Sequence, residues 1–204
     1  MKPSPAKDIV DLLMVSYYWP PLGGPGALRP VKFAKYLPGH GIHPTVITRK
    51  DIAYHSRDSS LGQDVPDVDV IRTDSLDPAR VLYQLGMRDY RVKGWHGHVK
   101  RAVNLPDSKT PWAPFAYHAA RGVGFDCIFV TAPPFSAFIT AYYLAKTAGK
   151  PLIVDFRDAW LEYPFIPYRG HLQKRLVRYW EGKIAHSAEA ITVVDDNIKS
   201  VLVR

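Results

Sequence analysis

Two patterns of apolar positions alternate along the chain: short continuous apolar runs, and longer segments with apolar residues at helical spacing. The run from Ile9 to Ser16 is almost entirely apolar, as expected of a central parallel strand covered on both faces. Further strand-like runs are Thr45–Thr48, VDVIRT at 68–73, DCIFVT at 126–131, PLIVDF at 151–156 and AITVV at 190–194. The alternation predicts βαβ units and an α/β fold with a Rossmann-like, doubly wound, mainly parallel sheet.

Helical spacing predicts the segments that connect these strands. The predicted helices cover 27–37, 78–102, 114–122, 134–149 and 171–185, and a terminal helix starts at Asp195. Pro38 and Gly39 should end the first helix, and Gly149 should cap the fourth. In the fifth helix the predicted apolar face consists of Leu172, Leu176, Val177, Trp180 and Ile184.

Length and composition narrow the class of protein. A chain of 204 residues fits one domain, and its single cysteine, Cys127, excludes an internal disulfide and favours a reducing compartment. The polar start and the absence of a long apolar run predict a soluble, cytoplasmic protein. The net charge of +8 suits a phosphorylated substrate, an anionic membrane or a nucleic acid. Nucleic acid is the least favoured partner because no recognised binding motif accompanies the charge.

A loop rich in glycine and proline follows the first strand. In this glycine loop, residues 17–26, Gly23, Gly24 and Gly26 would let a ligand approach the backbone, and amides at a helix start can bind an anion. The loop lacks the Gly-Lys-Ser/Thr ending of a P-loop, and Arg29 stands where a dinucleotide fingerprint has its third glycine. A phosphate site and a tight strand-to-helix turn therefore both remain open.

Charged residues also follow the strand PLIVDF. Asp155, Arg157 and Asp158, with Trp160 nearby, lie where parallel sheets bind ligands, outside the carboxyl ends of the strands. An arginine there can bind a phosphate or carboxylate, and an aspartate can accept sugar hydroxyls. The alternative is an internal salt bridge. In the preceding TAPPF turn, Ser136 is a candidate cap for the next helix.

Two stretches carry a resemblance to a known family. YYWPPLGGPGALRPVKFAKYLPGHGIHPTVIT and TAPPFSAFITAYYLAKTAGKPLIVDFRDAW resemble the N-terminal domain of retaining, GT-B-fold glycosyltransferases of family 4. The resemblance runs from about Ile9 to the end of the chain. It implies the N-terminal, acceptor-binding half of a GT-B fold, with a nucleotide-sugar domain that these 204 residues do not include.

The resemblance also implies roles for individual residues. Gly23 and Gly24 would lie near the donor phosphates, Arg157 and Asp158 would be catalytic, and Asp155 and Trp160 would line the acceptor cleft. Some family members carry a histidine roughly where Arg157 stands. The implied partners are a nucleotide-sugar donor and a glycan or lipid-linked acceptor, with no cofactor and no metal. A sugar-nucleotide epimerase and a non-catalytic binding domain are the alternatives.

Three further motifs are better explained by structure. Asp67-Val68-Asp69 matches a metal-binding motif of another transferase fold, but its neighbours predict a short edge strand. The pair Tyr142 and Lys146 copies a dehydrogenase spacing that helices produce readily, and Tyr142 is expected to face the core. His96 and His98 would diverge on a helix, so no metal site is predicted.

The segment 79–103 combines basic and aromatic residues. Its cations are Arg80, Arg88, Arg91, Lys93, Lys100 and Arg101, against one acid, Asp89. Such a segment can rest on an anionic membrane surface, or it can be the solvated face of an ordinary helix.

Overall fold

The computed structural model describes residues 9–54, 56–88, 106–162 and 170–202. Six strands form one sheet in the order β3-β2-β1-β4-β5-β6, and every strand pair is parallel. The strands are β1 Val10–Val15, β2 Ile42–Arg49, β3 Asp69–Thr73, β4 Cys127–Ala132, β5 Leu152–Phe156 and β6 Ala190–Val193. The predicted doubly wound parallel sheet is confirmed, and its order reverses between β1 and β4, where such sheets bind ligands.

Helices connect the strands on both faces of the sheet. They are α1 Pro25–Tyr36, α2 Ser60–Gln63, α3 Pro78–Gln84, α4 Ala113–Ala120, α5 Ser136–Ala148, α6 His171–Ser187 and α7 Asp196–Leu202. Short 3-10 turns, Leu37–His40 and Thr110–Trp112, follow α1 and precede α4.

Alternate residues of β1 enter two different parts of the core. Leu13 and Val15 pack with α4, α5 and α6, whereas Leu12 and Met14 pack with α1 on the opposite face. All four side chains are buried, because side chains along a strand point alternately to its two faces. The continuous apolar run thus reflects a strand with both faces covered, as predicted.

The second strand is longer than predicted. It covers Ile42–Arg49 instead of Thr45–Thr48, and it includes Pro44. Pairing with β3 begins only at Thr45, so the missing amide of Pro44 interrupts no bond to that neighbour.

The helix predicted over 78–102 is wrong in its length. Helix α3 ends at Gln84, and Gly86 adopts a φ of 89°, which a continuing helix excludes. The rest of that prediction, including His96, His98 and most of the basic segment, lies outside the described residues. Two helix ends agree with the sequence: Gly149 caps α5 with a φ of 63°, and the Asp195 carboxylate accepts the Ile198 amide at the start of α7.

Three side chains have different roles from those predicted. Leu172 and Leu176 do not join the buried face of α6, being 81% and 41% exposed, while Glu181 turns inward beside Val177 and Ile184. Ser136 does not cap α5 with its own oxygen, because both its amide and its hydroxyl donate to Asp107, a carboxylate from outside the helix.

Two of the motifs that the sequence analysis explained by structure lie in the described residues. Tyr142 is buried in the core next to Phe138, which agrees with its predicted orientation. Asp69 begins β3, an edge strand, and its side chain is exposed. In the part of the chain that is described, no helix has the length and apolarity needed to cross a membrane.

Candidate functional site

A cavity of about 1240 Å³ opens at the carboxyl ends of the central strands and continues along α1. It is lined by Tyr18, Leu22, Gly23, Gly24, Pro25, Gly26, Leu28, Arg29, Lys32, Phe33, Tyr36, Leu37, His40, Ser56, Pro133, Arg157, Asp158 and Val194. The end near the strands is polar and is lined by Arg29, Arg157 and Asp158, while the end along α1 is mainly apolar. The sheet topology therefore brings the glycine loop and the residues after β5 to one place.

The three glycines of the glycine loop are constrained either by backbone conformation or by close packing. Gly24 has φ 91° and ψ 176°, a conformation open essentially to glycine alone. A Cβ on Gly26 would lie 3.0 Å from Cδ2 of Tyr18, and one on Gly23 would lie 3.0 Å from the Cβ of Asp58. Gly24 is thus required by its backbone conformation, while close packing leaves little room for a side chain at Gly23 and Gly26.

The start of α1 offers backbone donors to the cavity. Helix α1 is twelve residues long, and the carbonyl of Gly24 accepts the amides of Ala27 and Leu28. Among the described residues, the amides of Gly24 and Gly26 have no hydrogen-bond partner. Free amides at the positive end of a helix favour an anion such as a phosphate.

Arg29 adds a side-chain cation one turn into α1. Its Nε and Nη2 donate to the two carboxylate oxygens of Asp155 at 2.9 and 2.7 Å. Asp155 is fully buried, whereas the Arg29 side chain is 31% exposed and lines the cavity. Hydrogen bonding to Asp155 raises the pKa of Arg29, so this group stays charged. The pair is neutral overall, and it holds the partly exposed Arg29 guanidinium as a fixed hydrogen-bond donor at the cavity lining.

Asp155 does not line the cavity, although the sequence placed it in the acceptor cleft. Thr131 donates to its Oδ2 at 2.8 Å and Thr192 to its Oδ1 at 2.7 Å, in addition to the two bonds from Arg29. The carboxylate therefore ties β4, β5 and β6 to α1. This is the internal ion pair that the sequence left as the alternative.

Arg157 lies between the end of β4 and the glycine loop. Its guanidinium donates to the carbonyls of Ala132, Gly26 and Pro133, the second at 2.9 Å. Burial lowers the pKa of Arg157, while the nearby Tyr18 and Asp155 act against that shift. Because its donors are occupied by carbonyls, Arg157 holds the loop in place at the cavity wall.

Asp158 is the carboxylate that remains available. It lines the cavity, and within the described ranges it has no hydrogen-bond or ion-pair partner. Partial burial raises the pKa of Asp158, Arg157 opposes that shift, and Asp195 adds to it. An unpaired carboxylate at the cavity can accept a hydrogen bond from a hydroxyl group of a ligand.

Trp160 is buried below the cavity and does not line it. Its ring stacks on Phe135 at 5.1 Å between centroids, and its backbone amide donates to Glu181. Burial raises the pKa of Glu181, and the two amides it accepts act in the opposite direction. Trp160 thus fixes the turn after β5 from the inside.

Four residues predicted for the site, Gly23, Gly24, Arg157 and Asp158, line one cavity, together with Arg29 and Lys32, which were not predicted. Arg29 was visible as the residue that breaks the dinucleotide fingerprint. Arg29 lies five residues after Gly24, which is about one turn into the helix that follows the loop. The pairing of Arg29 with Asp155 depends on a separation of 126 residues, which no local pattern shows.

A family model described as "Glycosyl transferase 4-like domain" matches residues 23–204. No curated protein is significantly similar to the chain in sequence. Among solved structures, sucrose-phosphate synthase from Thermosynechococcus elongatus superposes with a TM-score of 0.56 at 14% identity, over 96% of this chain and 45% of that one. The likeness to that enzyme is one of fold, and the chain spans less than half of its length.

Two other solved structures are less similar. SsfS6, a glycosyltransferase from Streptomyces sp. SF2575, has a TM-score of 0.44 at 14% identity, over 87% of this chain and 45% of that one. A candidate UDP-N-acetylglucosamine 2-epimerase from Listeria monocytogenes has a TM-score of 0.49 at 11% identity, over 96% of this chain and 42% of that one.

Proposed function

Because the chain belongs to the glycosyl transferase 4-like domain family, we propose that it is the acceptor-side domain of a retaining glycosyltransferase. The whole protein would transfer a sugar from a nucleotide-sugar donor to a hydroxyl group of a glycan or lipid-linked acceptor. A second domain outside these 204 residues would hold most of the nucleotide.

The observation that carries this proposal is the group of hydrogen-bond donors at the end of the cavity near the strands. Free amides of Gly24 and Gly26 lie with the Arg29 side chain beside one unpaired carboxylate, Asp158. Glycosyl transfer releases a nucleoside diphosphate, whose oxygens gain negative charge as the glycosidic bond breaks. Donors fixed before the reaction stabilise such charge more strongly than mobile ones.

Each group then has a role in the transfer. The loop amides and Arg29 bind the diphosphate oxygens, and Arg157 keeps the loop in place through the carbonyl of Gly26. Asp158 accepts a hydroxyl hydrogen bond from the acceptor or the transferred sugar. Asp155 and Trp160 act indirectly, the first by fixing Arg29 and the second by fixing the turn that carries Asp158.

A sugar-nucleotide epimerase is the second candidate. Epimerases need an acid and a base placed on the sugar itself, and here Asp158 is the cavity-lining carboxylate among the described residues. A single carboxylate beside amides fits transfer better than proton exchange at a carbon atom.

The test is a product assay on the longer protein that contains this domain. With uridine and guanosine sugar nucleotides, a transferase releases nucleoside diphosphate in proportion to added acceptor, and the glycoside product keeps the donor's anomeric configuration. Conversion of the donor into an epimer without acceptor would identify an epimerase instead. If neither product forms with any of these donors, both enzymatic proposals are contradicted.

We also propose a cytoplasmic location with reversible contact between the basic segment 79–103 and an anionic membrane. Arg80 is already paired with Asp74, so the remaining cations of the segment would make the contact. Sedimentation with anionic vesicles, weakened by salt and absent with neutral vesicles, is the expected result. Equal binding to both kinds of vesicle would reject it.

A further inference from the structure

The glycine loop uses its backbone carbonyls inside the protein. Hydrogen bonds from the chain reach the carbonyls of Tyr18, Trp19, Pro20, Pro21, Gly24 and Gly26. Three of these bonds come from arginine side chains, and the amides of Gly24 and Gly26 stay unpaired within the described residues. The loop thus satisfies its acceptors internally and keeps donors for a ligand.

The three arginines come from the ends of three strands. Arg49, the last residue of β2, donates Nη2 to the Trp19 carbonyl at 3.0 Å. Arg72, near the end of β3, donates Nη2 to the Pro20 carbonyl at 2.9 Å. Arg157 follows β5 and holds the Gly26 carbonyl. The sheet therefore supports both ends of the loop from below.

Arg49 is a buried arginine, a residue type that is rarely found in a position with only a structural role. It is fully buried, and its Nε and Nη1 have no hydrogen-bond partner. The rings of Tyr17 and Tyr54 lie 5.8 and 5.5 Å from its guanidinium carbon. A buried cation costs stability that an apolar side chain of similar size does not, so stability alone does not explain this residue. Its hydrogen bond to Trp19 is directed at the glycine loop.

We propose that Arg49 and Arg72 are positioning residues for ligand binding by the glycine loop. They fix the carbonyls of Trp19 and Pro20, so the loop already has its binding conformation before a phosphate group arrives. This inference rests on the proposed function, in which the loop amides bind the donor diphosphate. Its benefit is a lower ordering cost on binding, the general advantage of preorganisation.

The experiment compares Arg49→Met, Arg49→Lys and Arg72→Met with the matched control Arg80→Met. Arg80 also donates to a backbone carbonyl, that of Asp51 at 2.8 Å, but outside the loop. Hydrogen exchange of the Leu22, Gly23 and Asp58 amides reports the bonds that close the loop. Titration with inorganic pyrophosphate reports anion binding, and the melting temperature reports global stability.

Arg49→Met should keep or raise the melting temperature, while loop amides exchange about tenfold faster and pyrophosphate binds roughly tenfold more weakly. Arg72→Met should shift exchange and binding in the same direction, and Arg49→Lys, which keeps a charged donor, should recover part of both. Arg80→Met should change neither. Wild-type exchange and affinity in both methionine variants would overturn the inference. If the unmodified chain binds no pyrophosphate, the phosphate role of the loop fails, while faster exchange in the two variants still supports its positioning by the arginines.

Discussion

At the residue scale, two aspartates three positions apart have opposite roles. Asp155 is buried and accepts four hydrogen bonds, whereas Asp158 lines the cavity without a partner in the described part of the chain. Their positions at the end of β5 explain the difference. Asp155 still belongs to the strand and points into the protein, whereas Asp158 comes after the strand and lies at the cavity. The first carboxylate therefore stabilises the fold, and the second is free for a ligand.

Asparagine at each position should separate these roles. Asp155→Asn removes the charge that holds Arg29 and should lower the free energy of unfolding by about 2–4 kcal/mol, measured by urea denaturation of the chain. Asp158→Asn should change it by no more than about 0.5 kcal/mol. In the longer protein, Asp158→Asn should reduce turnover more than tenfold. Full activity of Asp158→Asn would contradict its proposed contact with the sugar or acceptor.

Glu181 should make stability depend on pH. Burial raises its pKa above the ordinary 4.5, so the folded chain binds this proton more tightly than the unfolded chain. The stabilisation by protonation is fully present below pH 4.5 and is lost as the pH rises through the folded pKa. Glu181→Gln should therefore gain melting temperature relative to the unmodified chain between pH 4 and pH 8. If the difference in melting temperature between Glu181→Gln and the unmodified chain stays constant across that range, the raised pKa of Glu181 is refuted.

At the element scale, strands were easier to predict than helix ends or the site. Runs such as the one at Ile9–Ser16 show burial on both faces, and Gly149 marks a helix end by its backbone freedom. The end of α3 was missed because Gly86 lies within a sequence that still shows helical spacing. The inward turn of Glu181 was missed because its partners, the amides of Trp160 and Leu161, come from another element.

The junction between β1 and α1 gives a test at the same scale. Gly24→Ala forces a side chain into a conformation essentially restricted to glycine and should cost about 1–3 kcal/mol of unfolding free energy. It should also weaken pyrophosphate binding by shifting the loop amides. Gly149→Ala, at another positive φ but far along the chain in the α5 cap, is the matched control. Its cost should be about 1–2 kcal/mol, with pyrophosphate affinity unchanged.

At the scale of the whole molecule, the described residues form a core on both faces of the sheet and a cavity at the carboxyl ends of its strands. Core residues cover both faces of β1, and the apolar side chains of α4, α5 and α6 close one side of the sheet. In the part of the chain that the structure describes, the cavity offers donors to an anion from Arg29 and the glycine loop, and its lining along α1 is mainly apolar. The core could be predicted from the sequence pattern. The cavity could not, because its lining residues are far apart in the chain and only the order of the strands brings them together.

The final prediction concerns the 204 residues by themselves. They should melt in one cooperative transition, because the buried core residues pack against one another within this chain. Calorimetric titration with uridine and guanosine sugar nucleotides should show weak binding or none, since one anion site leaves most of the cost of association unopposed. The same chain should release no nucleoside diphosphate from these donors when an acceptor is added. Micromolar affinity for any of them, or measurable transfer, would contradict its interpretation as the acceptor-side domain and would place the nucleotide site within this chain.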